Sequence, residues 1–116
     1  MQNSKNKKKI ITLIGPTACN KTSTAVHLIK KFPISIIGVD SVQIYKRFNI
    51  GSAKPPKEIL EKYRHHLVDS ADPENIFSVK DFYDQAYRIV MQAHSNNRIP
   101  LLVGGTMMYF NALFKG

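Results

Sequence analysis

One cysteine, few carboxylates and no long apolar run exclude several classes of protein for this 116-residue sequence. A lone Cys19 cannot build an intramolecular disulfide framework, and it fits a reducing compartment. No apolar stretch approaches the roughly 18 residues that a membrane helix needs. The Lys-rich start followed by Ile10–Ile14 imitates a secretory signal, but the apolar run is too short and no small-residue cleavage site follows it. The expected location is the cytoplasm. Metal-ligand spacing is also missing: His65 and His66 are adjacent, so on a strand they would point to opposite faces, and no cysteine or carboxylate cluster lies at a suitable distance. Eight acidic residues stand against 17 basic ones, a formal net charge of +9. Part of the excess is the tail Lys5, Lys7, Lys8 and Lys9; residues 1–9 read as a disordered basic arm and 10–116 as a single domain. The remaining excess suits phosphate substrates or nucleic acid, and equally a solvated lysine-rich surface.

The strongest local pattern is Gly15-Pro16-Thr17-Ala18-Cys19-Asn20-Lys21-Thr22. It matches G-x-x-x-x-G-K-[ST] at every fixed position but Asn20. In such a loop the backbone N–H groups wrap a diphosphate, the Lys ammonium reaches its oxygens and the Ser/Thr hydroxyl holds Mg²⁺. The helix that follows points its positive end at the anion. Glycine is usual at the position of Asn20 because the backbone there lies close to the phosphates. Asparagine tolerates the left-handed region better than most side chains, so the expectation is a loop that forms but binds its anion more weakly.

The surrounding periodicity supports that placement. Ile10–Ile14 reads as a buried parallel strand, and residues 21–31 as a helix with Ala25, Val26, Ile29 and Phe32 on its apolar side, stopped by Pro33. Ile34–Val39 reads as a second buried strand ending at Asp40, and 58–63 as a turn of helix. Ser78-Val-Lys-Asp81 reads as a capping box opening the longest helix, whose apolar face is Val79, Phe82, Tyr83, Ala86, Val90 and Ala93. Ile99–Val103 is a third strand, with Pro100 at its start, and 107–115 a last helix. The order implies an α/β fold: a three-layer phosphate-loop domain with a mostly parallel sheet. Ligands of such folds sit at the carboxyl ends of the strands, so Gly15–Thr22, Asp40–Ser41 and Gly104–Thr106 should share one crevice.

Three candidate groups follow. Asp40 could accept a proton from a nucleophile, or merely cap the turn through Ser41. Thr106 could contact substrate, or serve as a helix N-cap. Tyr45, Lys46 and Arg47 could meet a polyanion, with stacking on the aromatic ring. Met107, Met108, Phe110, Leu113 and Phe114 present more apolar surface than three strands cover, and exposed apolar patches are expected.

Taken together, Gly15–Thr22, Val39-Asp-Ser-Val-Gln-Ile-Tyr-Lys46, Ile50-Gly-Ser-Ala-Lys-Pro55, His65-His-Leu-Val-Asp69 and Pro100-Leu-Leu-Val-Gly-Gly-Thr-Met-Met-Tyr-Phe110 resemble the N-terminal part of the tRNA dimethylallyltransferase (tRNA isopentenyltransferase) family. The resemblance runs from Ile11 to Gly116, well under half of a typical member, so a truncated domain is expected. It implies transfer of a dimethylallyl group from dimethylallyl diphosphate to N6 of the adenosine beside the tRNA anticodon. Lys21 and the loop residues 15–22 would bind the diphosphate, and Thr22 would hold Mg²⁺. Asp40 would take the amine proton, and Ser41, Val42, Gln43 and Thr106 would contact the tRNA. The partners implied are the tRNA anticodon arm and dimethylallyl diphosphate, with neither membrane nor DNA. From the residues alone, a phosphate-loop kinase of small molecules and an inactive nucleotide- or RNA-binding module stay open.

Overall fold

A computed structural model describes residues 9–15, 21–46 and 54–115. The remaining positions, including 16–20 of the loop, Arg47 and the basic arm up to residue 8, lie outside the described residues. In chain order the elements are β1 (Ile11–Ile14), α1 (Lys21–Lys31), β2 (Ile34–Val39), α2 (Lys57–Lys62), β3 (His65–His66), α3 (Val79–Ser95), β4 (Ile99–Gly104) and α4 (Met107–Lys115). All strand pairs are parallel, in the order β1-β4-β2-β3.

Two-residue periodicity along the central strands divides the core into two layers. Ile34 and Ile36 of β2 and Leu101 of β4 face α1, where Ala25, Leu28 and Ile29 cover them. Ile37, Val39 and Leu102 face the other way, against Phe82, Ala86 and Val90 of α3 and Tyr109 and Phe110 of α4. Phe82 and Tyr109 stack at 4.2 Å, tying the two helices on that side together. The fold is the expected three-layer α/β arrangement.

Several details differ from the sequence expectation. His65–His66 adds a fourth strand, paired as Ile36↔His65 and Ile37↔His66; two residues are too few to give a periodic signal. β1 is not buried but lies at the edge of the described sheet, half-exposed on alternate residues, with Ile14 51% exposed. An apolar run reports that a strand can be covered, not that it is. Phe32 lies past the end of α1 and is exposed, so Leu28 packs on the sheet in its place. On α4, Phe110 is buried and Leu113 half-buried, whereas Met107, Met108 and Phe114 form the exposed apolar surface.

Local chemistry accounts for the ends of α3. Ser78 Oγ accepts from the Asp81 N–H at 3.0 Å, and Asp81 Oδ2 accepts from the Ser78 N–H at 2.9 Å, a complete capping box. At the other end Arg98 N–H donates to the Ala93 carbonyl and Asn97 N–H to that of His94, with Asn97 at φ 59°, a Schellman closure using Asn where Gly is usual. Pro100 lies fully buried in the central β4, next to a residue whose N–H donates to Pro33 on the β2 side. Its own nitrogen therefore faces β1, whose pairing starts only at Leu101, and no ladder donor is lost.

Candidate functional site

Strand order brings the three polar turns together. Because β4 lies between β1 and β2, its end stands between Gly15 and Asp40, residues far apart in the chain. The approach is close enough to require glycine. A Cβ on Gly104 would lie 2.0 Å from the Val39 carbonyl oxygen, and one on Gly105 2.8 Å from that of Gly15. With both side chains absent, the N–H groups of Gly105 and Thr106 donate to the Val39 oxygen, each at 3.2 Å, and Gly15 N–H donates to Gly104. The Gly-Gly-Thr sequence thus fastens the strand ends to one another.

The crevice over these ends is lined by Lys21, Thr22, Asp40, Gln43, His65 and Gly104, among others. Lys21 and Thr22 open α1, and the Lys21 ammonium donates to the Gly15 carbonyl at 2.7 Å. Asp40 follows β2 and caps the tight helical turn after it: Oδ1 accepts from the N–H groups of Val42 at 2.8 Å and Gln43 at 2.9 Å. Oδ2 takes neither bond. The capping role and the crevice position coexist in one carboxylate, whose orientation the two amides fix. Ser41 and Val42 are exposed on the turn, and Gln43 is half-buried toward the crevice.

Thr106 begins α4 through its backbone, its carbonyl accepting from the N–H groups of Tyr109 and Phe110. Its hydroxyl instead reaches across to the β2 turn, accepting from Ser41 N–H at 2.9 Å and lying 3.4 Å from the Ser41 hydroxyl. Of the candidate residues, the structure therefore gathers Gly15, Lys21, Thr22, Asp40, Ser41, Val42, Gln43 and Thr106 around the strand ends. Pro16, Thr17, Ala18, Cys19 and Asn20 are outside the described residues.

Tyr45 does not offer a stacking face to a polyanion as the sequence allowed. It is half-buried, and its hydroxyl accepts from the Phe77 N–H at 3.1 Å. Two contributors carried no sequence signal as individuals. Lys54, with a side chain only 4% exposed, donates to the Tyr45 carbonyl at 2.6 Å and to Asp69 Oδ1 at 3.0 Å, bracing the Asp40 turn from below. A lysine before Pro55-Pro56 in an irregular stretch reads as a surface residue until the fold closes over it. Asp69 itself sits at φ 56° and Leu67 at φ 61°, a rare conformation for a buried leucine. This tight turn lets the Asp69 N–H donate to Gln43 and the next two amides to Ile44. His65, weighed in the sequence only as a metal ligand, is the second: it lines the crevice, with Nδ1 2.7 Å from the Tyr63 carbonyl. Burial holds the His65 imidazole below its ordinary value, with the Tyr63 carbonyl working the other way. The Tyr109 phenol, close beneath the turn, is raised by burial and then by the nearby Tyr45 and Asp40.

Known proteins share both the sequence and the fold. The tRNA dimethylallyltransferase of Dichelobacter nodosus is 48% identical over 107 residues, which are 92% of this chain and 34% of that protein. The full-length tRNA isopentenylpyrophosphate transferase of Bacillus halodurans superposes with a TM-score of 0.84 at 43% identity, covering 92% of this chain and 35% of that one. A eukaryotic dimethylallyltransferase acting on tRNA gives a TM-score of 0.85 at 30% identity over 92% of this chain and 27% of its own. The chain thus spans about a third of the length of the curated relatives it matches. The family described as IPP transferase matches residues 43–116, well over half of the sequence, and the chain belongs to that family.

Proposed function

We propose that the crevice at the strand ends is the donor and acceptor site of a dimethylallyl transfer to tRNA. The observation that carries the reading is the convergence of Lys21, Thr22 and Asp40 on one crevice, with Thr106 fastened to Ser41 beside it. In the reaction the N6 amine of an adenosine attacks the allylic carbon of dimethylallyl diphosphate. A C–N bond forms, the C–O bond breaks, and diphosphate leaves with the electron pair. Lys21 and the amides of the loop 15–22 bind the leaving group, whose charge grows in the transition state. Asp40, held by two backbone amides, receives the amine proton. Thr106 and the turn residues Ser41, Val42 and Gln43 position the nucleotide. The adenosine enters flipped out of its stack.

Mg²⁺ fits the donor set. Among the described residues no group of three His, Cys or carboxylate side chains could cage a metal ion, and Thr22 offers a hard oxygen in the crevice. Mg²⁺ is commonly held by one or two protein oxygens together with substrate phosphates, and it would neutralise charge on the diphosphate. The location that accords with this reading is the cytoplasm; among the described residues no helix is long and apolar enough to cross a membrane.

The test is incubation of labelled dimethylallyl diphosphate and unmodified tRNA with the protein, scored for prenylated adenosine. In a parallel incubation with ATP and a small alcohol, ATP hydrolysis or phosphoryl transfer from ATP to the alcohol, with no transfer to tRNA in the first, would replace this reading with the kinase one. Calorimetry with diphosphate on the wild type and on Asn20→Gly reads the donor site by itself, and tighter binding by the glycine variant is expected.

A further inference from the structure

A second charged region opens on the far edge of the sheet. Along β3, between its open edge and the side of α3, lie two adjoining hollows of about 360 and about 420 Å³. They share Arg64, His66, Ile89 and Gln92, and so form one furrow. Its lining is mixed: Lys62, Arg64 and Arg98, the amides of Gln85, Gln92 and Asn96, and several apolar side chains. No aspartate or glutamate lines either hollow. Glu61 and Asp69 border an adjoining hollow that shares Lys62 and Arg64 with the first and Arg64, His65 and Val68 with the second, so these carboxylates stand at the furrow's rim; Asp69 is engaged by Lys54. Among the described residues the ion pairs are Lys54–Asp69 and Lys80–Asp84, so the three furrow cations have no carboxylate within 4.0 Å.

Structure and charge both bear on what the furrow takes. Arg98 is fixed in place, its Nε donating to the Ser35 hydroxyl at 3.1 Å and its guanidinium to the Ile34 carbonyl. Helix ends near Lys62 and Asn96 attract cations and account for two such side chains. They do not account for the third cation around hollows whose lining holds no carboxylate. The positive potential is felt at His66, which is held below its ordinary value by burial and then by Arg64, Arg98 and His65. The Lys62 ammonium lies over the Tyr63 ring, 5.6 Å from its centre, and His66 adds a flat ring of the kind on which unpaired bases stack. An added peptide strand is disfavoured because β3 offers only two residues of edge. The furrow is also continuous with the site: His65 and Val68 line both the second hollow and the crevice of Asp40.

We propose that this furrow binds the sugar–phosphate backbone of an RNA strand, extending the contact made at the Asp40 crevice across the β3 edge. Lys62, Arg64 and Arg98 contact phosphates, and the amides and ring faces contact sugar and base. The inference rests on the reading of the crevice as a tRNA site and adds to it a second region of contact.

The test is fluorescence anisotropy with a labelled anticodon stem-loop RNA over a range of salt. Lys62 and Arg64 are exposed, so the double variant K62A/R64A should fold, which a thermal melt checks; Arg98 is spared because it also holds β2. The expected result is about ten-fold weaker binding, with the log–log salt slope reduced by about 1.5 for two lost phosphate contacts. K80A/K115A, with the same loss of charge away from the furrow, should change affinity by less than about two-fold, and K62R/R64K should restore it. Equal losses in the two alanine pairs would overturn the proposal, as would no RNA binding by the wild type. Displacement of the RNA by millimolar inorganic phosphate would also overturn it, by making the furrow a site for a single anion. Calorimetry with dimethylallyl diphosphate, without RNA, judges the crevice reading separately.

Discussion

The hydroxyl of Thr106 accepts the backbone N–H of Ser41 at 2.9 Å across 65 residues of sequence, joining the turn after β4 to the turn after β2. Asp40 is the residue next to that junction, and its own Oδ1 accepts from the N–H groups of Val42 and Gln43. The carboxylate is therefore fixed from both sides: by the amides it caps and by the threonine that anchors its neighbour.

Thr106→Val removes this junction while keeping the shape of the side chain. Stability should fall by about 1 kcal/mol, the net worth of one hydrogen bond. Transfer to tRNA should fall much further, and Thr106→Ser should retain most of it. Denaturant melts alongside transfer assays separate the two effects; parallel losses in both would mean that Thr106 is only structural.

Gly104→Ala places a methyl group 2.0 Å from a backbone oxygen that cannot move without unpairing β2 and β4. The strands must part, and the cost should reach about 3 kcal/mol, at the upper end for overpacking. Thermal unfolding measures it, and a melting temperature equal to that of the wild type would contradict the close approach.

Lys54→Met deletes a buried ammonium that bonds the Tyr45 carbonyl and Asp69. A loss of about 1–3 kcal/mol is expected, because the carbonyl is left without this donor. A double-mutant cycle with Asp69→Asn isolates the ion pair, and since Asp69 is 47% exposed its share should be well under the total.

His65 and His66 both have folded values below 6.5, chiefly through burial. Below that pH the unfolded chain takes up protons that the folded one resists, so stability is complete above about pH 6.5 and is lost as pH falls toward the folded values. Melts between about pH 8 and about pH 5 should show it, with a shallower fall in His66→Gln. An unchanged pH dependence in that variant would remove His66 from the account.

Asn97→Gly should stabilise the protein by up to about 1 kcal/mol, because glycine reaches φ 59° without the cost a Cβ imposes. Chemical denaturation reads the gain. The Asp40 crevice should be unaffected, since it lies at the opposite ends of the strands.

Much of the fold was legible because it rests on local chemistry. The apolar periodicity of residues 79–93 and the reciprocal pair Ser78–Asp81 place α3 without reference to the rest of the chain. Gly15, Lys21 and Thr22 mark the loop through spacing, and Asp40 and Thr106 stand out as polar residues directly after apolar strands. Position in the sheet was not legible. β1 and β2 are similarly apolar, yet one lies at the edge of the described sheet and the other has neighbours on both sides. Pairing joins residues from distant parts of the chain, and a strand's own residues do not record which partner takes which edge.

Local pattern marked every element except β3, together with the two glycines at the end of β4 and the polar residues that directly follow the strands. Long-range packing set the rest: Thr106 serves Ser41 as well as beginning its own helix, Lys54 is buried, and Arg64 and Arg98 line one hollow along the β3 edge. One cause underlies all three. Periodicity and capping act within a few residues, whereas burial and hydrogen-bond partners depend on which strands lie side by side, and that is settled by the packing of the whole chain.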